Sequence, residues 1–415
     1  MNSASDLSRF IRPGDMVMWG QAHAEPRTLI RHLIAQRHRF SRFRVFLGIG
    51  LSGQIRAEHA DAIDFLAYGG GGSTRKLAAG GTFDILPVHY SRLPHLLSSG
   101  ALRADVMMLQ VSRPDSAGRY SLGMVREYLT QPLAQARVVL AEVHPDVPWT
   151  HGGPYLNADD FDLLIEADEA MPGGGATAVD DISQAIGRNA ASLIEDGATL
   201  QTGIGAIPDA VMRQLHDRRD LGVHTGSIGD GMAHLQRTGV ITNAGKPIDV
   251  GRTVGGVLMG GADLRMSAHM NPALELRGTE YTHDPRVLGQ LRNLVAVNSA
   301  VEVDLTGQVN SEVAGGRYVG AVGGIIDFLR AAGSVDRGVP IVALPSMAGG
   351  SSRIVANLSG PVSVPRADSC LIVTEHGIAD LRGLPLRQRV PKMISVAHPE
   401  HREALERAAR QAGLT

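Results

Sequence analysis

A polar, glycine-rich loop at residues 222–231 is the first place where the sequence predicts chemistry. It reads Gly-Val-His-Thr-Gly-Ser-Ile-Gly-Asp-Gly and follows a predicted strand end. Loops at the carboxyl ends of strands are where α/β proteins place reacting groups. His224 and Ser227 are the candidate reacting side chains. A turn that merely holds a hydrogen-bonded histidine fits the same residues.

A second candidate is Glu375, which is separated only by Thr374 from the apolar run at residues 370–373 and lies two residues before Gly377. A carboxylate at a strand end beside glycine is a credible catalytic or orienting group. Another carboxylate pair, Glu302 and Asp304, alternates with valines in a predicted strand. These two side chains are expected either to face solvent or to hold neighbouring loops.

Two glycine turns could bring backbone N–H groups to a ligand. The turn at residues 200–205 leads into a predicted helix and contains Ile204 and Gly205. N–H groups at a helix N-terminus suit a phosphate or a developing oxyanion. The stretch from Gly320 to Gly324 also leads into a helical pattern, and glycine permits close backbone approach there. Many α/β turns look alike, so neither turn is specific alone.

The elements that must position these residues are short buried strands alternating with helices. This alternation predicts an α/β fold with parallel sheets covered by helices. Strands are predicted at residues 16–19, 106–111, 138–140, 163–165, 294–297, 341–344 and 371–373. Helices are predicted at residues 25–36, 181–195 and 209–215.

A weak internal repeat relates residues 11–33 to residues 194–215. In each, a glycine precedes a short strand, a second glycine ends it, and a proline starts an amphipathic helix. The prolines are Pro26 and Pro208, and proline suits a first helical turn. The repeat predicts two halves with the same beginning.

The boundary between these halves is placed in the glycine-rich stretch at residues 171–176, which is predicted to be flexible. The predicted domains are therefore residues 1–180 and residues 181–415.

Composition excludes several classes of function. A net charge of -2 over 415 residues gives no field that would recruit nucleic acid. Cys370 is the only cysteine, so no internal disulfide can form, and it is expected to be a core residue. The one close histidine pair, His398 and His401, lacks a third ligand, and no metal is expected. A polar N-terminus and the lack of long apolar runs predict a cytoplasmic protein without a membrane span.

Taken together, these stretches resemble the acetyl-CoA hydrolase/transferase family, which includes single-chain class I CoA-transferases such as 4-hydroxybutyrate and butyryl CoA-transferases. The resemblance covers nearly the whole chain, from the glycine-and-proline start at residues 14–26 to Ala-His-Pro-Glu-His-Arg at residues 397–402. Residues 111–123 look like the family's SP-x-D-x-x-G-x-x-SLG stretch.

The resemblance implies two tandem α/β domains of CoA-transferase type, with the active site between them and coenzyme A mainly on the C-terminal domain. It implies that Ile204 and its glycine neighbours supply backbone N–H groups to an oxyanion hole, and that Glu375 lies beside the reacting carbonyl. It also implies that the glycine loop at Gly320 to Gly324 supplies such N–H groups and contacts coenzyme A. It also implies a homodimer or larger assembly. The candidate cofactor-binding residues are Ile204, Gly205, Gly320, Gly323, Gly324 and Arg353.

One departure from the family pattern changes the expected chemistry. Family members read His-Thr-Glu where this chain reads His224, Thr225 and Gly226. The family's glutamate attacks the acyl-CoA carbonyl and then carries coenzyme A as a glutamyl thioester. Glycine has no nucleophile, so that route cannot run at this position.

The sequence therefore predicts an acyl-CoA-processing enzyme that acts without a covalent glutamate. Water, a carboxylate or another small acceptor would enter the space left by the missing carboxylate, and Glu375 or His224 would act as general base. The reaction would be thioester hydrolysis or direct acyl transfer, releasing coenzyme A.

Three alternatives remain open from the sequence. A CoA-transferase could use a nucleophile relocated to Glu375 or Ser227. A thioester enolate could support decarboxylation or carbon–carbon chemistry. The chain could also bind coenzyme A without catalysis. By resemblance the acyl pocket draws on N-terminal loops, here residues 68–74 and 89–90.

Overall fold

The computed structural model describes residues 6–171, 179–368 and 370–414. Contacts between residues divide the chain into two compact units. The predicted linker at residues 172–176 lies outside the described residues, and the domain limits at residue 180 stay a prediction. The first unit comprises Met1–Gly175, Val254–Thr282 and Arg317–Gly323, and the second comprises Ala176–Thr253, His283–Gly316 and Gly324–Thr415.

Most strands are short, and the longest carry the apolar runs recognised in the sequence. Within the described residues, the strands are β1 (Met16–Trp19), β2 (Phe43–Leu47), β3 (Ile63–Ala67), β4 (Phe83–Ile85), β5 (Val106–Val111), β6 (Val138–Val143), β7 (Leu163–Glu166), β8 (Thr199–Thr202), β9 (Gly222–Val223), β10 (Ser227–Gly229), β11 (Thr253–Gly255), β12 (Val257–Met259), β13 (Leu274–Leu276), β14 (Leu294–Ser299), β15 (Glu302–Asp304), β16 (Val309–Asn310), β17 (Val313–Ala314), β18 (Arg317–Tyr318), β19 (Val339–Ala343), β20 (Met347–Ala348), β21 (Ser351–Ser352), β22 (Ile354–Val355), β23 (Leu371–Thr374) and β24 (Gly377–Asp380).

The helices alternate with these strands along the chain. Among the described residues they are α1 (Arg27–Gln36), α2 (Arg75–Ala79), α3 (Leu93–Ser98), α4 (Thr130–Leu133), α5 (Asp181–Ala191), α6 (Ala206–Arg213), α7 (Asp230–Arg237), α8 (Ala262–Ala268), α9 (Thr279–Thr282), α10 (Pro285–Leu288), α11 (Ile325–Ser334), α12 (Leu386–Ser395) and α13 (Pro399–Gln411). None of them combines the length and the apolar character that crossing a bilayer requires.

The first unit is built on a parallel sheet with the strand order β4-β3-β2-β1-β5-β6-β7. Every residue of β1, β5 and β6 is buried. Strands covered on both faces are expected to read as continuous apolar runs, and these do. Trp19, Leu33 and Phe43 belong to its core, in which α1 packs against β6.

The second unit has its own sheet, ordered β24-β23-β19-β14-β8-β9. All neighbouring pairs are parallel except β23 with β24. Helix α11 packs against β14 and β19, while α5 packs against β19, β23 and β24. Phe328, Leu329 and Ile372 lie in the core of this unit. The predicted α/β class with helix-covered parallel sheets is thus confirmed.

The predicted strands are all present, while the limits of all three predicted helices differ from prediction. Helix α1 begins at Arg27 rather than residue 25, α5 ends at Ala191 rather than residue 195, and α6 spans Ala206–Arg213 rather than residues 209–215. Pro208 is therefore the third residue of its helix. Proline is tolerated there because N–H groups of a first turn have no partner within the helix.

Two predictions about buried residues are decided by the structure. Cys370 is a buried free thiol, as predicted, and burial raises its pKa to about 12. Glu302 and Asp304 are buried rather than solvent-facing. Glu302 accepts a hydrogen bond from the Ser359 N–H at 2.6 Å, and Asp304 accepts one from the Thr306 N–H at 2.9 Å. These carboxylates therefore hold loops.

Candidate functional site

The predicted site residues of the second unit gather at the carboxyl edge of its parallel sheet. Ile204 follows β8, His224 follows β9, and Glu375 follows β23. The strand order also reverses direction here, because β9 and β14 lie on opposite sides of β8. Crevices at such a reversal are the usual ligand sites of open α/β sheets. The sheet thus brings together side chains that are distant in sequence.

In the loop after β9, the first two residues are buried and the next two are accessible. His224 and Thr225 are fully buried, whereas Gly226 and Ser227 are partly exposed. The His224 N–H donates to the carbonyl of Leu200 at 3.0 Å, and the Thr225 hydroxyl donates to the carbonyl of Thr202 at 3.1 Å. Hydrogen bonds to β8 therefore fix the loop, and its accessible part is the segment that contains Gly226.

His283 lies directly against Gly226. A Cβ atom placed on Gly226 would lie 3.2 Å from the His283 Cε1 atom and 3.4 Å from its Nε2 atom. The imidazole is only 3% exposed, and its ring centroid lies 4.7 Å from that of Phe328. Sequence reasoning missed this residue, because it precedes a short helix far from the loop and follows no predicted strand.

The imidazole of His283 is also the reason for glycine at position 324. A Cβ atom on Gly324 would lie 2.5 Å from the His283 Nε2 atom and 2.7 Å from Cδ2, closer than such atoms approach. The backbone at Gly324, with φ of -94°, suits any residue, so the close approach alone demands glycine. The Nε2 atom of His283 thus lies beside two positions without side chains.

Burial determines the protonation state of this imidazole. Desolvation, reinforced by the nearby His224, lowers the pKa of His283 to about 3. The ring is therefore neutral at any physiological pH. A neutral imidazole has one nitrogen that donates a hydrogen bond and one that accepts.

Ser346 holds Glu375 at both carboxylate oxygens. The Ser346 N–H donates to Oε2 at 2.9 Å, and its hydroxyl donates to Oε1 at 2.5 Å. The carbonyl of Ser346 accepts from the Arg353 N–H at 2.8 Å, which connects this carboxylate to the candidate cofactor-binding segment. Sequence reasoning missed Ser346, although its position after the apolar strand β19 was an available signal. Glu375 is thus a fixed carboxylate.

The turn after β8 has the form expected of a backbone ligand site. Ile204 is 44% exposed although apolar, and Gly205 adopts a φ of +117°, which favours glycine. Helix α6 follows immediately. Below the turn, the buried amides of Gln201 and Asn298 exchange hydrogen bonds of 3.3 and 2.9 Å between neighbouring strands.

The remaining predicted glycines, Gly320 and Gly323, belong to the first unit. The Gly70 N–H donates to the carbonyl of Gly320 at 2.8 Å, and the Tyr90 N–H donates to that of Gly323 at 2.9 Å. The loops predicted to form the acyl pocket therefore contact the loop predicted to contact coenzyme A. Gly69 allows this approach, since a Cβ atom there would lie 2.5 Å from Cβ of Ala321.

A buried polar cluster that includes Tyr90 could not be predicted from the sequence. The Gln21 amide donates to Glu127 Oε2 at 2.6 Å and to the Tyr90 hydroxyl at 3.1 Å, and the Tyr68 hydroxyl donates to Gln21 Oε1 at 2.6 Å. Burial raises the pKa of Glu127 to about 8. In the described part of the chain, no three His, Cys, Asp or Glu side chains are grouped so that they could hold a metal ion.

Comparisons with known proteins agree with this architecture. The N-terminal domain of acetyl-CoA hydrolase/transferase matches residues 1–172, and the C-terminal domain matches residues 260–409. The 4-hydroxybutyrate coenzyme A transferase of Clostridium kluyveri is 40% identical over 340 residues, covering 81% of this chain and 79% of the relative. The succinyl-CoA:cyclohexane-1-carboxylate CoA transferase of Geobacter metallireducens is 31% identical over 420 residues, covering 99% and 94%. The crystal structure of RipA from Yersinia pestis is similar with a TM-score of 0.93 and 31% identity, covering 99% of this chain and 96% of that one.

Proposed function

The chain belongs to the acetyl-CoA hydrolase/transferase family, and on that premise we propose that it releases coenzyme A from acyl-CoA without a covalent glutamyl intermediate. One observation carries the proposal. Gly226 stands where, by resemblance, the family has its nucleophilic glutamate, so that position has no carboxylate to attack the thioester, and its backbone is partly exposed. Water is the simplest acceptor, and another small nucleophile could take its place.

The proposed reaction is an acyl transfer in which the acceptor attacks directly. The oxygen of water bonds to the thioester carbonyl carbon, and the carbonyl oxygen becomes an oxyanion. The carbon–sulfur bond then breaks, and the proton lost by water ends on the sulfur of coenzyme A. The products are a carboxylic acid and free coenzyme A. Backbone N–H groups at Ile204 and Gly205 are the proposed oxyanion donors.

The contacts of Glu375 support a role other than nucleophile. Both of its oxygens are engaged by Ser346, and its side chain is 13% exposed. A carboxylate held at both oxygens is better suited to orient an acceptor or receive a proton than to attack a carbonyl. This favours direct transfer over a nucleophile relocated to Glu375. Ser227 stays a candidate for contact with the acceptor.

Contacts with coenzyme A are proposed for each unit separately. In the second unit they come from Gly324 and Arg353, and in the first unit from Gly320 and Gly323. The cytoplasmic location and the homodimeric or larger assembly stay predictions of the sequence.

Free thiol release from a panel of acyl-CoA thioesters tests the proposal. We expect release in water alone, or on addition of a carboxylate or amine acceptor. After incubation with acyl-CoA and borohydride reduction, mass spectrometry should find no modified glutamate. A reduced glutamyl adduct would support a relocated nucleophile, and tight acyl-CoA binding without thiol release would support a non-catalytic protein. Either outcome overturns the proposal.

A further inference from the structure

A cleft of about 740 Å³ lies at the carboxyl edge of the parallel sheet in the first unit. Its walls are the loop at residues 112–115 after β5, the loop at residues 145–149 after β6, and residues of α8 together with the turn that follows this helix. All of these residues belong to the first unit, and the proposed reaction uses none of them. Small-molecule sites typically have volumes of roughly 300–1,000 Å³, so a ligand of that kind fits here.

Two exposed methionines form much of the apolar wall of this cleft. Met266 is 69% exposed, more than any other large apolar side chain in the described part of the protein, and Met270 is 48% exposed. Pro114, Pro145 and Pro148 also line the cleft. Methionine is flexible and polarisable, so it adapts to apolar ligands of different shape. Two such side chains on one wall favour a ligand with an apolar body.

Two arginines bring positive charge to the same cleft. The Nη1 atom of Arg265 is buried and has no hydrogen-bond partner among the described residues, and neither Arg265 nor Arg113 has an ion-pair partner there. Of the two carboxylates in the cleft, Asp115 is paired with Arg119 at 2.7 Å, so Asp146 alone opposes these charges. A buried guanidinium atom without a partner lacks a hydrogen bond that a ligand carboxylate would supply. The charges therefore favour a ligand with a single negative charge.

The indole in the cleft wall is not free to stack on a nucleobase. Trp149 is only 4% exposed, and its ring is stacked on Tyr155 with the two centroids 4.7 Å apart. The indole N–H donates to the carbonyl of Arg119 at 3.0 Å, and the backbone N–H of Trp149 donates to Nδ1 of His269 at 3.1 Å. Walls of methionine and proline therefore favour an aliphatic chain over the base of a nucleotide.

We infer that this cleft binds an aliphatic monocarboxylate. Its carboxylate pairs with Arg265 and Arg113, and its chain lies along Met266 and Met270. The inference does not depend on the proposed reaction, because no residue of the cleft takes part in that reaction. Since a carboxylic acid is also a product of the proposed reaction, the cleft is a second place where the enzyme binds compounds of that class.

Isothermal titration calorimetry of the full chain with octanoate tests this inference. We expect saturable binding with a Kd below about 1 mM. Octanol lacks the charge and acetate lacks the chain, so each should bind at least about tenfold more weakly than octanoate.

Two variants of the cleft and two matched controls locate the binding. Arg265→Gln should raise the Kd for octanoate at least about tenfold, and Met266→Gln should raise it at least about threefold. In the controls, Arg39→Gln replaces an exposed arginine paired with Asp6, and Val250→Gln replaces an exposed apolar residue of the second unit. Both controls should keep the Kd within about twofold of the parent.

The inference is wrong if octanoate shows no saturable binding, or if folded Arg265→Gln or Met266→Gln binds it as tightly as the parent. It is also wrong if ADP binds in a manner that depends on Arg265 while octanoate does not, because the ligand is then a nucleotide. Circular dichroism melting shows whether each variant is folded, and Arg113→Gln is the second charge variant. A parent that releases no thiol from acyl-CoA overturns only the proposed function, since octanoate binding is measured without the reaction.

Discussion

At the scale of single residues, the imidazole of His283 limits the size of the residue that position 226 can hold. The approach of 3.2 Å between the His283 Cε1 atom and a Cβ on Gly226 is tighter than ordinary van der Waals contact, so a side chain there would displace the ring. The ring in turn is confined by Phe328 and by Gly324. Interiors are closely packed, so such displacements are costly. A side chain at position 226 and the imidazole of His283 would therefore compete for the same space.

We predict that restoring the glutamate requires removing the imidazole. Gly226→Glu alone should give weak acyl-CoA:acetate exchange, because its Cβ presses on His283. Gly226→Glu with His283→Ala should exchange at least about tenfold faster, which corresponds to about 1.4 kcal/mol of relieved strain. Transfer of labelled acetate into acetyl-CoA measures both. Equal exchange in the two variants would mean that His283 does not obstruct position 226.

A second prediction concerns the hydroxyl of Ser346. Ser346→Ala removes the 2.5 Å hydrogen bond to Glu375 and leaves the backbone one. Hydrogen bonds to charged groups contribute about 1.5–3 kcal/mol, so kcat for thiol release should fall at least about tenfold. Glu375→Gln should lower it further. Ser395→Ala, which loses only an exposed bond to the Lys392 carbonyl, is the matched control. An unchanged kcat in Ser346→Ala would show that this carboxylate need not be fixed.

At the scale of secondary structure, parallel strands explain why the sequence could locate most of the candidate residues. Buried apolar runs predict the strands, and residues just after them must share one edge of the sheet. Glu375 was found in this way, whereas Ile204 and His224 were found from the glycine-rich loops that contain them. His283 was not, because it precedes the four-residue helix α10 and its neighbours along the chain give no periodic pattern. Ser346 was missed although it follows β19, because a lone serine in a loop carries no chemical signature.

The loop at residues 320–323 gives a prediction for the first unit. Gly69→Ala would place a Cβ 2.5 Å from Cβ of Ala321 and 2.8 Å from the carbonyl of Gly320, so the loop must shift. Overpacking of this kind costs about 1–3 kcal/mol. We expect a lower melting temperature and a KM for acyl-CoA raised at least about threefold, which thermal melts and initial rates measure.

The matched control for that variant is Gly333→Ala. Gly333 lies inside α11 with open space around it, so alanine should stabilise the helix by about 0.5–1 kcal/mol. A KM that rises equally in both variants would contradict a specific role for the loop contact.

At the scale of the whole molecule, each unit has its own apolar core, and the first also buries the carboxyl groups of Glu127 and Glu142. Burial raises the pKa of Glu127 to about 8 and that of Glu142 to about 7. The two-core architecture was predictable from alternating apolar runs. The buried cluster was not, since Gln21, Tyr68 and Glu127 lie in separate stretches of sequence and meet only in the fold.

The cluster makes stability depend on pH in a definite direction. Between the ordinary carboxyl pKa of 4.5 and about 8, the folded state keeps a proton on Glu127 that the unfolded state has lost. The stabilisation that comes from this bound proton is complete below pH 4.5 and is lost as pH rises through 8. The free energy of unfolding then falls by at most about 1.4 kcal/mol per pH unit. In Glu127→Gln an amide replaces the carboxyl group, so no proton is lost at this position as pH rises. Its melting temperature relative to the parent should therefore rise steadily from pH 5 to pH 8, and a constant difference would refute the assignment.

Segments of the two units alternate along the chain, and this limits how the protein can be divided into fragments. The first unit is completed only by Val254–Thr282 and Arg317–Gly323, which follow much of the second unit in sequence. No single cut in the gene yields both units whole, and a fragment ending at residue 175 lacks part of its own structure. Translation must reach residue 323 before every segment of the first unit has been synthesised, and expressing that unit alone would require joining its three segments.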